Sequence, residues 1–129
     1  MTVMADKKVR TVYYSKEFKQ FFDGLDTRTR EKYIWTIQIT ETVLALPAKY
    51  VKKLEGTEFY EMRVSVGYNE YRTVLFAIDS DNFVKATGIY LLNSFLKKSS
   101  KDYKKQIEIA KKIMKEVELR TILKNAEKE

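Results

Sequence analysis

Neither histidine nor cysteine occurs in this chain of 129 residues. Without cysteine there can be no disulfide, no thiolate nucleophile and no thiolate metal site. Without histidine the commonest general base and metal ligand is missing as well. Any catalysis must run on Lys, Arg, Tyr, Asp, Glu or Ser, and no metal or other cofactor is expected. There is one proline and there are four glycines, so neither a Pro-rich linker nor a low-complexity segment is present. No stretch approaches the roughly 20 apolar residues of a membrane span. Residues 1–10 lack the apolar run of a secretory signal. A cytoplasmic chain with no membrane partner is expected.

What remains is the material of a folded domain. Apolar residues make up 44% of the chain, with nine Tyr and seven Phe. That supports a real core and leaves aromatic rings over for stacking. The length is that of one ordinary domain, read here as residues 1–129, with a core over about 9–118 and flexible ends. There are 25 Lys and Arg against 18 Asp and Glu, a formal net charge of +7. This excess favours a nucleic acid or an acidic protein as partner, or is merely a basic surface.

Residues 9–14, rich in β-branched and aromatic types, predict a short first strand. Ser15 is placed to cap a helix. Phe18, Phe21, Phe22 and Leu25 then fall at i, i+3, i+4 and i+7, one helical face. Asp26 or Thr27 can cap a second helix that ends near Pro47, with Tyr33, Ile34, Ile37, Thr40, Glu41 and Leu44 on its stripe. Trp35 and Ile39 lie off that stripe, which suggests that a second face is covered. Residues 58–66 alternate, with Tyr60, Met62, Val64 and Val66 on one side and Glu61, Arg63 and Ser65 on the other. That is a strand with one apolar face. Gly67-Tyr68-Asn69 reads as a hairpin turn, residues 71–78 as the next strand, and residues 83–95 as a long third strand interrupted by Gly88. A basic loop, residues 96–102, leads to a last helix with Ile107, Ala110, Ile113, Met114 and Val117 on one stripe. The expectation is an α+β fold: a small antiparallel sheet, an N-terminal helical hairpin packed on one face, and a C-terminal helix.

Four pieces stand on these elements in a recognisable order. Leu54-Glu55-Gly56 followed by Phe59-Tyr60-Glu61-Met62-Arg63-Val64 resembles the "L-x-G … l-Y-E-L-R" signature of the RelE/ParE toxin superfamily. Tyr71-Arg72-Thr73-Val74-Leu75-Phe76 resembles its "Y-R-v-l-f" strand. Phe95-Leu96-Lys97-Lys98 resembles its "F-x-K-K" strand end, and residues 107–110 its "e-I-x-x-A" helix. The chain is most similar to the phage-derived, HigB-like branch of type II toxin–antitoxin toxins. It departs from many relatives at Asp102-Tyr103, where they carry Thr-Pro.

The resemblance implies a RelE-like fold. It also implies a metal-independent, ribosome-dependent endoribonuclease, an mRNA interferase that inhibits translation. In such enzymes the substrate's own 2′-hydroxyl attacks the adjacent phosphate. The site must supply a base, positive charge on the phosphorane and an acid for the leaving oxygen. A Lys or Tyr base needs a pKa lowered by neighbouring cations. Carried over residue by residue, the catalytic positions are Arg63, Arg72, Lys97 and Tyr103. Arg72 matches the arginine that grips the phosphate, Lys97 the basic residue supporting the transition state or leaving group, and Tyr103 a C-terminal tyrosine for stacking or proton transfer. Glu61 could orient an arginine or serve as base. Lys49, Lys52, Lys53, Lys98 and Lys101 suit RNA phosphates, although a solvated basic turn would look the same. Asp102 suits an N-cap better than catalysis.

Some HigB-like ribonucleases use histidine, which this chain lacks. Two other readings therefore stay open: a ParE-like inhibitor that blocks gyrase by binding, and a non-toxic RNA-binding module. Convergence of Arg63, Arg72 and Lys97 on one face favours the enzyme. Dispersal, or burial of Arg72 in a salt bridge, favours the binders. The resemblance also implies mRNA on the ribosome and a cognate helix-turn-helix antitoxin as partners, with operator DNA bound only through the antitoxin complex.

Overall fold

A computed structural model describes residues 7–128, with side chains described through Arg120. The expected loose leader falls mostly, and the fraying tail wholly, on residues whose side chains lie outside that range. The elements are β1 (Thr11–Tyr14), α1 (Lys16–Asp23), α2 (Thr27–Thr42), β2 (Val51–Lys53), β3 (Tyr60–Val66), β4 (Asn69–Ala77), β5 (Gly88–Leu96) and α3 (Asp102–Lys128).

The five strands form one sheet in the order β1-β5-β4-β3-β2. The sheet is mixed, not purely antiparallel as expected: β1 runs parallel to β5, with Thr11 opposite Gly88 and Tyr14 opposite Leu91. The chain passes through the helical hairpin and three strands before returning to β1's edge, and that long crossover is what parallel pairing requires. The short β2 stands where a basic turn is expected from sequence. It adds Val51 opposite Met62 and Lys53 opposite Tyr60. The expected third strand over 83–95 is also corrected. Phe83–Lys85 is a 3₁₀ turn whose start is capped by the Asn82 side chain, and β5 begins only at Gly88.

The helical hairpin covers one face of the sheet and α3 the other. Ser15 Oγ accepts the Phe18 N–H at 3.0 Å and donates to the Leu92 carbonyl. One side chain thus starts α1 and ties it to β5. Phe18 and Tyr33, with Phe21 and Phe22 partly buried, pack over Met62, Val64, Leu75 and Leu91. The buried stripe of α2 is Thr29, Tyr33, Thr36 and Thr40. Ile34 and Leu44, placed on the stripe from sequence, are exposed, and so is Trp35. Threonine can line this core because Thr36 and Thr40 donate to the carbonyls of Lys32 and Thr36, at 2.8 and 2.9 Å. Their methyls are then free to pack. Arg10 is 2% exposed. It donates to the carbonyls of Thr40 (2.9 Å), Val43 (2.7 Å) and Leu44 at the end of α2, where a cation complements the helix dipole. Its guanidinium lies 4.5 Å from the Phe83 ring centroid.

On the opposite face, Phe59, Val74, Leu92 and Phe95 meet Ala110 and Ile113 of α3. A bulge in β5 opposite Val74/Leu75 inserts Leu92 between the paired Leu91 and Asn93. Leu92 and Asn93 both turn toward α3 as a result. Asn93 Nδ2 donates to the Gln106 carbonyl at 3.1 Å and to its side-chain oxygen at 2.9 Å. The β3–β4 turn is Gly67-Tyr68, with Gly67 at φ +60°. A glycine at the first central position suits a type II′ turn, whose twist matches a hairpin.

Candidate active site

Alternation along β3 and β4 puts Glu61, Arg63, Arg72 and Val74 on the face that α3 covers. The register sets Arg63 directly opposite Arg72, and Glu61 opposite Val74. Two arginines facing each other across strands repel unless carboxylates intervene. Two do. Glu61 Oε1 lies 3.7 Å from Arg63 Nε, and Glu61 Oε2 lies 3.8 Å from Arg72 Nε. Glu70 Oε1 accepts from Arg72 Nη1 at 3.3 Å. Glu70 had no assigned role from sequence, although its place two residues before Arg72 puts it on the same face.

Arg72 is 3% exposed. Its Nε donates to Tyr103 Oη at 3.0 Å and its Nη1 to the Tyr71 carbonyl at 2.9 Å. The sequence left open whether this arginine would be buried in salt bridges or converge with other cations, and it does both. Arg63 is only half-buried and Lys97 is partly exposed. Lys97 Nζ stands 5.6 Å from the centre of the Tyr103 ring, which packs edge-on against Phe95 at 5.7 Å. The four predicted catalytic residues, taken from β3, β4, the residue just after β5 and the first turn of α3, therefore form one connected cluster.

The electrostatics bear on the role of Tyr103. Burial pushes the Tyr103 phenol above the usual tyrosine range; the Glu61 carboxylate adds to this and Arg72 opposes it. A phenol so placed stays protonated at neutral pH, so it suits a proton donor and not a base. Glu61 Oε2 is buried and accepts no hydrogen bond. Glu70 is held below the usual carboxylate range, first by the Ser65 hydroxyl and then by Arg72 and Arg63.

From the sheet's other face, Tyr33 Oη and Thr73 Oγ1 meet Ser94 Oγ at 2.7 and 2.8 Å. Ser94 Oγ donates to the Arg72 carbonyl at 3.1 Å. Burial pushes Tyr33 up to about 12. This hydroxyl chain fixes the backbone that carries Arg72.

The lysines separate. Lys52 is exposed opposite Glu61, on the cluster's side of the sheet. Lys53 turns to the other side, donates to the Thr57 carbonyl and lies 5.2 Å from the Tyr60 ring. It is not part of the cluster, because strand alternation forbids Lys52 and Lys53 from sharing a face. Lys49 sits in the turn before β2, 5.0 Å from the Tyr50 ring. Lys98 and Lys101 are exposed in the loop before α3. Asp102 is the first residue of α3. Its Oδ2 accepts the N–H groups of Lys98 (2.8 Å) and Ser99 (2.9 Å), which lower its pKa. It thus ties down the preceding loop and is not the expected N-cap. Among the described residues no cluster of acidic side chains could hold a metal ion, and no helix is long and apolar enough to cross a membrane.

Comparisons with known proteins bear on the family and the fold. No curated protein matches the sequence. The isolated Escherichia coli RelE toxin superposes with a TM-score of 0.51 at 18% identity, over 77% of this chain and 96% of that one. RelE in the intact E. coli RelBE toxin–antitoxin complex gives 0.50 at 14% identity, over 70% and 99%. At such identity the likeness speaks for the fold, and it bears out the RelE-like α+β architecture expected from sequence. The model of the phage-derived Gp49-like proteins (DUF891) matches residues 20–115. With most of its length so matched, this chain belongs to the phage-derived Gp49-like family (DUF891), on a RelE-like fold.

Proposed function

We propose that this chain is the toxin of a type II toxin–antitoxin pair and an endoribonuclease acting on mRNA at the ribosome. The observation that carries this reading is the cluster itself, Arg63, Arg72, Lys97 and Tyr103 around Glu61. Such a set can cleave RNA without metal or histidine. The 2′-oxygen attacks the adjacent phosphorus, the P–O5′ bond breaks, and a 2′,3′-cyclic phosphate and a 5′-hydroxyl result. Glu61, as enclosed as Arg72, stays beneath the surface and holds Arg63 and Arg72 in place, while the 2′-hydroxyl proton passes to solvent water. Arg63 and Lys97, the accessible cations, hold the charged phosphorane. Tyr103, kept neutral by its surroundings, protonates the leaving 5′-oxygen.

Arg72 receives a different role from the one its resemblance implied. At 3% exposure it acts through Tyr103 and Glu61 as a positioning residue, and does not grip the phosphate. Its burial is also the observation that favours a second reading, a binder of the gyrase-inhibitor kind that needs no catalytic set. A cognate antitoxin of the helix-turn-helix type completes the proposal, and operator DNA is contacted only by the pair.

Induced expression in bacteria, with transcript 5′ ends mapped in the same cells, tests this. Wild type is expected to arrest growth and to cut within translated frames. Arg63→Ala with Lys97→Ala is expected to do neither, while remaining folded by circular dichroism. Growth arrest with intact transcripts would overturn the ribonuclease in favour of the inhibitor.

A further inference from the structure

The strand β2 ends early. It pairs β3 at Tyr60–Met62, and the Arg63 N–H still donates to the Tyr50 carbonyl at 2.8 Å, so among the described residues only Val64–Val66 is an open edge beside α2. Two adjoining hollows fill the gap between that edge and α2. One, of about 410 Å³, is lined by Arg28, Glu31, Lys32, Trp35, Ser65 and the Gly67 turn. The other, of about 230 Å³, shares Lys32, Trp35 and Ser65 and extends to Lys49, Tyr50 and Arg63. Together they make one groove.

Two features distinguish this groove from an ordinary solvated surface. The first is aromatic. Trp35 is 43% exposed, an unusual state for an indole in a protein with a core to fill. Its ring meets Tyr50 edge-on at 5.8 Å. The second is charge. Arg28, Lys32, Lys49 and Arg63 line the groove against one carboxylate, Glu31. Glu61 also draws on Arg63, at 3.7 Å. Lys32 Nζ lies 5.2 Å from the Trp35 ring and Lys49 Nζ 5.0 Å from the Tyr50 ring. Each ring thus has a cation beside it.

We propose that this groove binds a single-stranded RNA segment, with a base on the Trp35 indole and flanking phosphates on Lys32, Lys49 and Arg63. An exposed indole beside a half-buried phenol, with cations next to each, is what an unpaired strand needs, because each nucleotide brings a π-face and a phosphate. A duplex hides its base faces and cannot use the indole. Arg63 belongs both to the groove and to the Glu61–Arg72 cluster. A strand lying along α2 is therefore led to the catalytic face. The inference rests on the ribonuclease reading for its substrate, but binding itself needs no catalysis.

Trp35 is the sole tryptophan, so its fluorescence reports the groove directly. Full-length protein is titrated with an oligouridylate octamer. The expected result is saturable quenching that weakens with salt, with a slope of about −2 for three phosphate contacts on a single strand. A labelled octamer then follows the variants by anisotropy. Trp35→Ala is expected to weaken binding about tenfold, within the range of losing one base stack. Trp35→Phe, which keeps a ring, should retain most of it. Lys32→Glu should weaken binding and flatten the salt slope. No quenching at low salt, unaltered affinity in Trp35→Ala, or equal quenching by duplex RNA or an acidic peptide would each overturn the groove. The two proposals fail separately. Transcripts cut in cells while the octamer leaves Trp35 undisturbed would remove the groove and keep the nuclease. Octamer binding with transcripts intact would do the reverse.

Discussion

Replacing Arg72 by methionine tests the cluster most directly. The side chain is 3% exposed and lies within 3.8 Å of Glu61, itself 6% exposed. Methionine fills similar volume but leaves the Glu61 carboxylate buried without its cation on that side. Breaking a buried ion pair from one end costs about 3–5 kcal/mol. The 3.8 Å separation and the remaining Arg63 contact point to the lower end, about 3 kcal/mol. With a urea dependence of about 1.5 kcal/mol per molar, the unfolding midpoint should fall by about 2 M. The double variant Arg72→Met with Glu61→Gln removes the stranded charge and should recover more than half of that loss, giving a coupling energy of at least about 1.5 kcal/mol, larger by whatever Glu61→Gln costs alone. Urea melts of the four proteins of the cycle, followed by circular dichroism, supply the measurement. Additive effects, or a loss under about 1 kcal/mol for Arg72→Met alone, would mean that Arg72 and Glu61 do not depend on each other, and the positioning role would go with them.

Tyr33 should make the fold sensitive to alkali. Its folded pKa of about 12 lies above the ordinary value near 10. The folded state therefore holds the proton more tightly, and that stability is complete below about pH 10 and lost as pH rises through about 12. Tyr33→Phe should cost about 1 kcal/mol at neutral pH through the lost Ser94 bond and should flatten the alkaline decline. Identical pH slopes for the two proteins in urea melts would contradict this. Arg10→Met should lower stability by about 3 kcal/mol, because three carbonyls near the end of α2 lose a charged donor in a buried setting. A thermal melt within a degree or two of wild type would remove that capping role. Tyr103→Phe keeps the ring against Phe95 and removes the proton donor. Transcript cleavage should drop about a hundredfold, and unchanged cleavage would take Tyr103 out of the chemistry.

Periodicity carried most of the fold. Phe18, Phe21 and Phe22 repeat every three to four residues, and Met62 and Val64 alternate, because each element has one face to bury. Ser15 was legible as a cap since its position before that run leaves little else for a hydroxyl to do. Features that depend on a distant partner were not legible. The parallel setting of β1 is decided by where β5 lies, and the Leu92 bulge by what α3 needs. The buried stripe of α2 was misread because Thr36 and Thr40 look polar until their hydroxyls are bonded within the helix. At the site, the sequence could gather Arg63, Arg72, Lys97 and Tyr103 by resemblance. It could not say that Arg72 would be enclosed by Glu61, Glu70 and Tyr103, because enclosure follows from the register of β3 on β4 and the start of α3. Trp35, off the expected stripe of α2, suggests from sequence a second covered face; it is instead 43% exposed, because what covers a helix face is decided by distant strands.

The placement of β1 has a consequence for how the protein comes into being. Ser15 meets its partner Leu92 across 77 residues of chain. During synthesis from the N-terminus the first strand and α1 are made long before the strand they dock on. Loop closure of that length must be completed before β1 gains a neighbour. The aromatic face of the helical hairpin stays uncovered meanwhile, as a transient sticky surface on the nascent chain. The proposed catalytic cluster is later still, since Lys97 and Tyr103 follow β5. A chain halted before α3 would thus carry the helical hairpin and all five strands but not Tyr103, so the proposed site is the last thing assembled.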